Sequence, residues 1–307
     1  MFYITEKQFY TKETLSIYNK IGAIFSSNTH KIKVKILIIR LKFLINSKFL
    51  KEYKNLKYII TNTTGLDHID LIYCKKKNIT IISLNDIMNK IQKVQSTADL
   101  TFGLIINLSR NITYSNKYLD KNKIFDRYKF ISHDLNGRTL GIVGLGRIGK
   151  RVAKYAKCFG MKVIGHDKYK SQNYFEKNSV TKVSKEKLLK KSNIISIHSS
   201  SEKLKKILDT QDLLKIKKGA ILVNTSRDFL IDQKILFKLI KSKHLIGYGT
   251  DVLPNERNKL LFRKNEIFKL SKNYNVLITP HLGGCTFESL NNTDLEIAKY
   301  FYKRYKK

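Results

Sequence analysis

The stretch Gly144-Leu145-Gly146-Arg147-Ile148-Gly149 has the residue types and spacing to hold a pyrophosphate. Gly144 permits a sharp turn. Gly146 has no side chain to keep phosphates off the backbone, and Gly149 lets a helix pack closely on a strand. The helix start that follows offers unpaired N–H groups and a partial positive charge. Asp167, further along, can accept hydrogen bonds from both hydroxyls of a ribose and would repel a 2′-phosphate. The chemistry implied is dinucleotide binding, with NAD as the expected cofactor. Gly144, Gly146, Arg147, Ile148, Gly149 and Asp167 are its expected contacts. An ordinary glycine turn explains each residue singly but not their order. Arg227, Asp251 and His281 follow other short apolar runs and are candidates for chemistry at strand ends.

The elements around these residues must position them. Leu140, Ile142 and Val143 read as a buried strand before the glycine turn. Ile148, Val152, Ala156 and Phe159 recur at helical spacing, Gly160 is a suitable stop, and Met161, Val163 and Ile164 begin the next strand. The alternation continues on both sides. Strands are expected at 2–4, 22–25, 36–39, 56–61, 79–82, 193–198, 220–224, 245–250 and 276–279, with helices between most of them. Strands alternating with helices imply parallel pairing with helices on the faces. Residues 94–112 read as one long helix, apolar on more than one side. Residues 114–135 are polar and aromatic, and read as irregular with a short helix.

Five motifs in order resemble the D-isomer-specific 2-hydroxyacid dehydrogenases: GLGRIG, Asp167, NTSR at 224–227, DVLPNE at 251–256 and TPHLGG at 279–284. Upstream, TTGLDHID at 63–70 is similar to the family's substrate-domain loop, and TADLTFGLI at 97–105 to its interdomain helix. The branch resembled is that of the phosphoglycerate and hydroxypyruvate/glyoxylate reductases. The resemblance runs from about residue 34 to the end. It implies an α/β fold of two Rossmann-like or flavodoxin-like domains, with parallel sheets and an interdomain cleft. Residues 94–283 would be the NAD-binding domain, and 1–93 plus 284–307 the substrate-binding domain.

The implied reaction moves a hydride between NAD(H) and a small D-2-hydroxy or 2-keto acid. Reducing a keto acid also requires a proton on the carbonyl oxygen, and His titrates near neutral pH. A planar cation must bind the substrate carboxylate and polarise the carbonyl, which an Arg fork does. By resemblance, His281 is the acid/base, Glu256 its partner and Arg227 the substrate clamp. Backbone N–H groups at Thr64 and Gly65 would take the carboxylate. Asp251 would lie near the nicotinamide, Thr225 beside the ribose and His198 beside the adenosine pocket. Arg40 could reach the substrate, although a structural role is the stronger expectation. The chain departs from the pattern at Ser132, at Ser199-Ser200-Ser201, at Asp228, where Gly usually follows the Arg, and at Arg257, where Pro usually follows the Glu. Asp228 and the altered loops motivate an alternative, an NAD(H)-sensing regulatory protein on a dehydrogenase scaffold.

Length and composition frame these readings. The 307 residues can hold two ordinary domains, and 42% hydrophobic with 27% charged residues is a globular composition. The net charge of +36 invites a nucleic-acid reading. About 50 of the 60 basic residues are Lys, spread along the whole chain, while Pro falls to 2 and Trp to 0. That pattern fits codon bias and a solvated surface, so no nucleic-acid partner is expected. Cys74, Cys158 and Cys285 are odd in number and widely spaced, which suggests neither a disulfide framework nor a metal site. They fit a reducing, cytoplasmic setting. No membrane span or signal peptide is expected. A homodimer through residues 97–130 is implied by the resemblance alone.

Overall fold

The computed structural model describes residues 1–25, 28–199 and 205–305. Its described strands form two sheets, all of whose pairings are parallel. Two compact units contain them. One is Met1–Val94 with Cys285–Lys307, and the other is Gln95–Gly284.

The first unit holds β1 (Phe2–Ile4), β2 (Ile24–Phe25), β3 (Ile36–Ile39), β4 (Tyr58–Thr61) and β5 (Thr80–Ile82), in the order β2-β1-β3-β4-β5. β3 reads Ile-Leu-Ile-Ile and is buried throughout, as a parallel strand covered on both faces must be. Ile36 and Ile38 face a core completed by Ile297, Ala298 and Phe301 of the C-terminal helix Phe287–Tyr305. Leu37 and Ile39 face the other core, with Ile45, Leu50 and Tyr53. The sheet thus draws the end of the chain back to its beginning.

The second unit holds β6 (Thr139–Val143), β7 (Lys162–His166), β8 (Thr181–Lys182), β9 (Ile194–Ile197), β10 (Ala220–Asn224), β11 (Leu245–Thr250) and β12 (Val276–Ile278). Their order is β12-β11-β10-β9-β6-β7-β8. The chain runs outward one way from β6 and then returns to run the other way from β9. Between β6 and β9 lies the reversal of strand order where open α/β sheets bind ligands.

The helix Ser96–Ser109 buries Ala98, Phe102, Leu104, Ile105 and Leu108 in this unit's core. It is shorter than the 94–112 helix the sequence suggests. Asn111, with φ of 55°, adopts the left-handed conformation that Asn tolerates, and breaks the run. A second helix, Ile112–Asn122, then takes up the start of the segment expected to be irregular with a short helix. None of its residues is buried, so no apolar stripe marks it. Ser132 lies beyond it in irregular chain, where its hydroxyl accepts from Arg110 Nε at 3.2 Å.

Candidate active site

Strand register lines up the functional positions. His166 of β7 pairs with Val143 of β6, Val143 with Ile197 of β9, and Ile197 with Asn224 of β10. Asn224 pairs with Thr250 of β11, and Thr250 with Ile278 of β12. These six residues form one row across the sheet. One residue past the row stand Asp167, Gly144, His198, Thr225, Asp251 and Thr279. Neighbouring strands are about 4.8 Å apart, so the row spans about 24 Å.

The glycine turn shows why each glycine is there. Gly144 has φ of 92°, and a Cβ on it would meet the His198 carbonyl at 2.8 Å. A Cβ on Gly149 would come within 2.2 Å of the Gly144 oxygen. Around Gly146 a Cβ would meet nothing within 4 Å, so the space there is open. Gly146 is the N-cap of the helix Arg147–Cys158 and supplies no side-chain cap, so the helix start remains available to an anion. Arg147 and Ile148 are half-buried at that start, and Ile148 packs on the core. Burial, and then the charge of Arg151, depress the Arg147 pKa.

Asp167 accepts from the Leu145 N–H at 2.9 Å and, through its other oxygen, from the Tyr169 N–H at 2.9 Å. A carboxylate has about four lone-pair sites, so acceptor capacity remains for ribose hydroxyls. This combination of open turn, uncapped helix start and fixed carboxylate fits a dinucleotide. His198 shares a 2.8 Å hydrogen bond with Ser196 through Nε2, and desolvation pushes its pKa down to about 3. It is therefore a neutral group beside the glycine turn. Thr225 is buried, and its hydroxyl meets Thr101 Oγ1 at 2.8 Å. Thr101 donates to the Thr97 carbonyl, so Thr225 is the donor to Thr101. Its side chain is thereby turned into the helix Ser96–Ser109. Ser199 is half-buried; Ser200, Ser201 and most of the 199–206 loop lie outside the described residues.

At the other end of the row, His281 Nδ1 lies 2.8 Å from Glu256 Oε2. The second Glu256 oxygen accepts from the Leu253 N–H at 2.7 Å. Burial works against the charged carboxyl. The hydrogen bond and charge of His281, the Leu253 N–H and the charge of Arg257 outweigh it and hold the Glu256 pKa below its usual value. An ionised Glu256 accepts only, so Nδ1 carries the hydrogen and Nε2 is left for proton transfer. Both partners ride on unusual backbone. His281 has φ of 57° and Asn255, beside Glu256, has φ of 59°. Non-glycine residues in this region store about 1–3 kcal/mol of strain, a feature that clusters at functional sites.

Asp251 holds the His281 turn. It is 1% exposed, and its Oδ1 accepts from Thr279 Oγ1 at 2.6 Å and the Leu282 N–H at 2.7 Å. Its Oδ2 accepts from the Gly283 N–H at 2.7 Å, and Thr97 donates to the Gly283 carbonyl at 2.7 Å. Desolvation nevertheless raises the Asp251 pKa above the usual value. Replacing Asp251 by Asn puts an N–H₂ where one of these acceptors stands. We expect kcat to fall at least about tenfold through misplacement of His281, with NADH affinity kept within about twofold. Steady-state rates beside NADH fluorescence titration check this.

Arg227 is fixed in a similar way. Asn224, fully buried, accepts from the Ser226 N–H at 3.0 Å and donates to the Arg227 carbonyl at 2.8 Å. Arg227 Nη1 donates to the Ser226 carbonyl at 2.7 Å. Asp228 opens a 3-10 turn, and its carbonyl accepts from Gln233. Burial, and after it the charge of Asp228, hold the Tyr248 phenol up at about 12. Arg227, Asp251, Glu256 and His281 thus come from the loops after three adjacent strands. Asn224, Thr279 and Thr97 hold these turns and were not singled out in the sequence; for Asn224 and Thr279 the signal was a short polar side chain at a strand end, where turn-forming hydrogen bonds are made, and for Thr97 one at a helix start.

Thr64 and Gly65 belong to the first unit, in the loop after β4. Their carbonyls accept from Asn85 Nδ2 and Thr63 Oγ1, both at 2.9 Å, which fixes the loop's peptide planes. Arg40 is buried in the same unit, ion-paired with Asp294. Among the described residues, no cluster of three or more His, Cys, Asp or Glu could hold a metal, and no helix is long and apolar enough to cross a membrane.

The model of the D-isomer specific 2-hydroxyacid dehydrogenase NAD-binding domain matches residues 102–283, which include the glycine turn and His281. The chain belongs to this family. It is 31% identical over 272 residues to the hydroxypyruvate reductase of Thermotoga maritima, covering 88% of this chain and 85% of that one. It is 32% identical over 270 residues to the D-3-phosphoglycerate dehydrogenase of Methanocaldococcus jannaschii, covering 87% of this chain but 49% of that one. Among solved structures, the D-lactate dehydrogenase of Aquifex aeolicus, complexed with NAD and lactic acid, matches with a TM-score of 0.81. That match has 26% identity and covers 99% of this chain and 95% of that one. The protein is a nicotinamide-dependent hydroxyacid dehydrogenase on a two-unit α/β scaffold.

Proposed function

We propose that the protein reversibly converts a small D-2-hydroxy acid and its 2-oxo acid, using NAD(H). The observation that carries this reading is the His281–Glu256 pair at 2.8 Å, two strands along the sheet from the Arg227 loop. A nicotinamide cofactor, when bound, would supply the hydride chemistry at the carbonyl carbon in either direction. Arg227 binds the carboxylate and polarises the carbonyl, so that negative charge developing on its oxygen meets a fixed cation. His281 Nε2 gives its proton to that oxygen, and Glu256 stabilises the imidazolium before transfer. The Thr64–Gly65 amides are assigned as a further contact for the carboxylate, and His198 as a neutral wall beside the adenosine. We assign the Thr225 backbone, rather than its hydroxyl, to the ribose side, because the hydroxyl is engaged with Thr101.

Oxidation of NADH against a panel of 2-oxo acids tests the proposal. NADH binding without turnover on any acid would remove it and favour the sensing role that Asp228 raises. Asp167 is assigned the choice between coenzymes. NADH should be preferred over NADPH by about 100-fold in kcat/KM, and Asp167→Asn should shrink that preference at least tenfold, because a carboxylate repels a 2′-phosphate. An unchanged ratio would take that role from it.

The segment beyond the Ser96–Ser109 helix exposes Ile112, Ile124, Phe125, Tyr128 and Ile131. This supports the proposed homodimer, which a solution mass by light scattering at micromolar concentration decides. The exposed free thiols of Cys158 and Cys285 support a reducing setting such as the cytoplasm.

A further inference from the structure

Two adjacent strands of the first unit end side by side. Ile39 of β3 pairs with Thr61 of β4, so Arg40 and Asn62 both step off the same edge of the sheet. Thr64 and Gly65, the assigned carboxylate contact, follow Asn62 by two and three residues. Arg40 is the buried cation at this edge, on the strand next to the one whose loop carries Thr64 and Gly65.

Through Nη2 that cation is already engaged, while its buried Nε has no hydrogen-bond partner among the described residues. Arg40 Nη2 is ion-paired with Asp294 Oδ2 and also donates to the Phe9 carbonyl at 3.0 Å. The guanidinium carbon lies 4.5 Å from the Tyr10 ring centroid and 6.0 Å from that of Phe9. Arg40 is 8% exposed and Asp294 1%. The second Asp294 oxygen accepts from Asn62 Nδ2 at 2.8 Å, so the carboxylate bridges the ends of both strands. Burial pushes the Asp294 pKa up to about 7 against the pull of Arg40 and then Asn62, with the nearby Glu6 raising it further. Glu6 is itself buried, following β1 on the same edge. The buried formal charge here is one Arg against two carboxylates. Lys42, two residues on, is exposed with its ammonium over the Phe43 ring at 5.5 Å, and supplies a screened charge, not a fixed clamp.

We propose that the Arg40–Asp294 pair sets specificity: it closes this edge to a second anion, so the substrate is a 2-oxo acid whose side chain carries no phosphate or carboxylate. This rests on the dehydrogenase reading above. A phosphorylated side chain would have to draw Arg40 out of a buried ion pair and leave Asp294 and Glu6 without their cation, a cost that an uncharged side chain does not meet.

The test compares kcat/KM of the full chain, with NADH, for glyoxylate and hydroxypyruvate against 3-phosphohydroxypyruvate. The uncharged side chains should win by about 100-fold or more. Asp294→Asn keeps an acceptor for Asn62 but removes the charge that holds Arg40. It should narrow the ratio at least about tenfold, chiefly by lowering KM for the phosphorylated acid. Arg40→Gln is a second variant should Asp294→Asn fold poorly. It should change both substrate classes alike, within about threefold of each other. A wild-type preference for the phosphorylated acid, or a loss confined to that acid in Arg40→Gln, overturns the inference and leaves the dehydrogenase reading intact. Failure of wild type on every acid, phosphorylated or not, sinks the dehydrogenase reading itself, and this inference with it.

Discussion

Replacing His281 by Ala should lower kcat for 2-oxo acid reduction by about 10³-fold while NADH binds within about twofold of wild type. The size follows from the position of the ring. Nδ1 is held by an ionised Glu256, so the imidazole keeps one defined nitrogen, Nε2, for the proposed proton transfer. Without it the proton must come from water, and the developing alkoxide has no acid beside it. One complication is built into the backbone. His281 sits at φ of 57°, so a substitution could also disturb the turn. Asn tolerates this conformation better than Ala does, which makes His281→Asn the stricter variant. If the ring itself carries the chemistry, both variants lose activity to a similar extent. Recovery in His281→Asn alone would instead assign the loss to the turn. Glu256→Gln should be milder, because the ring stays in place but loses the charge that stabilises its protonated form. Rates from pH 5.5 to 9 with all three variants, beside NADH titrations, decide among these outcomes.

What the sequence made legible was set by how local each constraint is. The glycine turn could be read because no other residue fits: Gly144 lies at φ of 92° and a Cβ on Gly149 would strike backbone. β3 and β10 could be read because a parallel strand covered on both faces shows as an unbroken apolar run. The strand ends carrying Arg227, Asp251 and His281 followed from β10, β11 and β12, which the alternation of strands with helices marks. The helix Ile112–Asn122 could be read only as a short helix without bounds, since it buries none of its residues and so carries no stripe. The role of Asp251 was also hidden. Its carboxylate holds a turn about thirty residues downstream, and nothing local announces which N–H groups it will meet. The Arg40–Asp294 pair spans 254 positions of sequence. Only the return of the C-terminal helix to the first sheet brings its two halves together. The placing of Thr225 beside a ribose could not include its hydroxyl's partner, Thr101, which lies 124 positions away in the sequence. Long-range polar pairing has no period to detect.

Arg227→Gln should cost more than any other change outside the acid/base pair, about 10³- to 10⁴-fold in kcat/KM. Two losses combine. A charge-assisted, two-pronged contact to the substrate carboxylate disappears, and so does the cation facing the carbonyl oxygen as negative charge builds there. The first is present in ground and transition states alike and appears as a raised KM. The second is stronger in the transition state and appears as a lowered kcat. Arg227→Lys separates the two. Lysine keeps the charge but not the planar fork, so kcat/KM should fall about 10²-fold, with part of the kcat retained. The backbone that carries the residue should stay in place in both variants. Asn224 ties the Ser226 N–H to the Arg227 carbonyl without using the guanidinium, so stability should change by less than about 1 kcal/mol. That separation makes the experiment decisive: a variant that melts like wild type and binds NADH like wild type, yet turns over normally, would show that Arg227 does not clamp the substrate. The neighbouring Asp228 adds a carboxylate beside a group meant to hold an anion, so high salt should moderate the KM effects of both variants without restoring kcat.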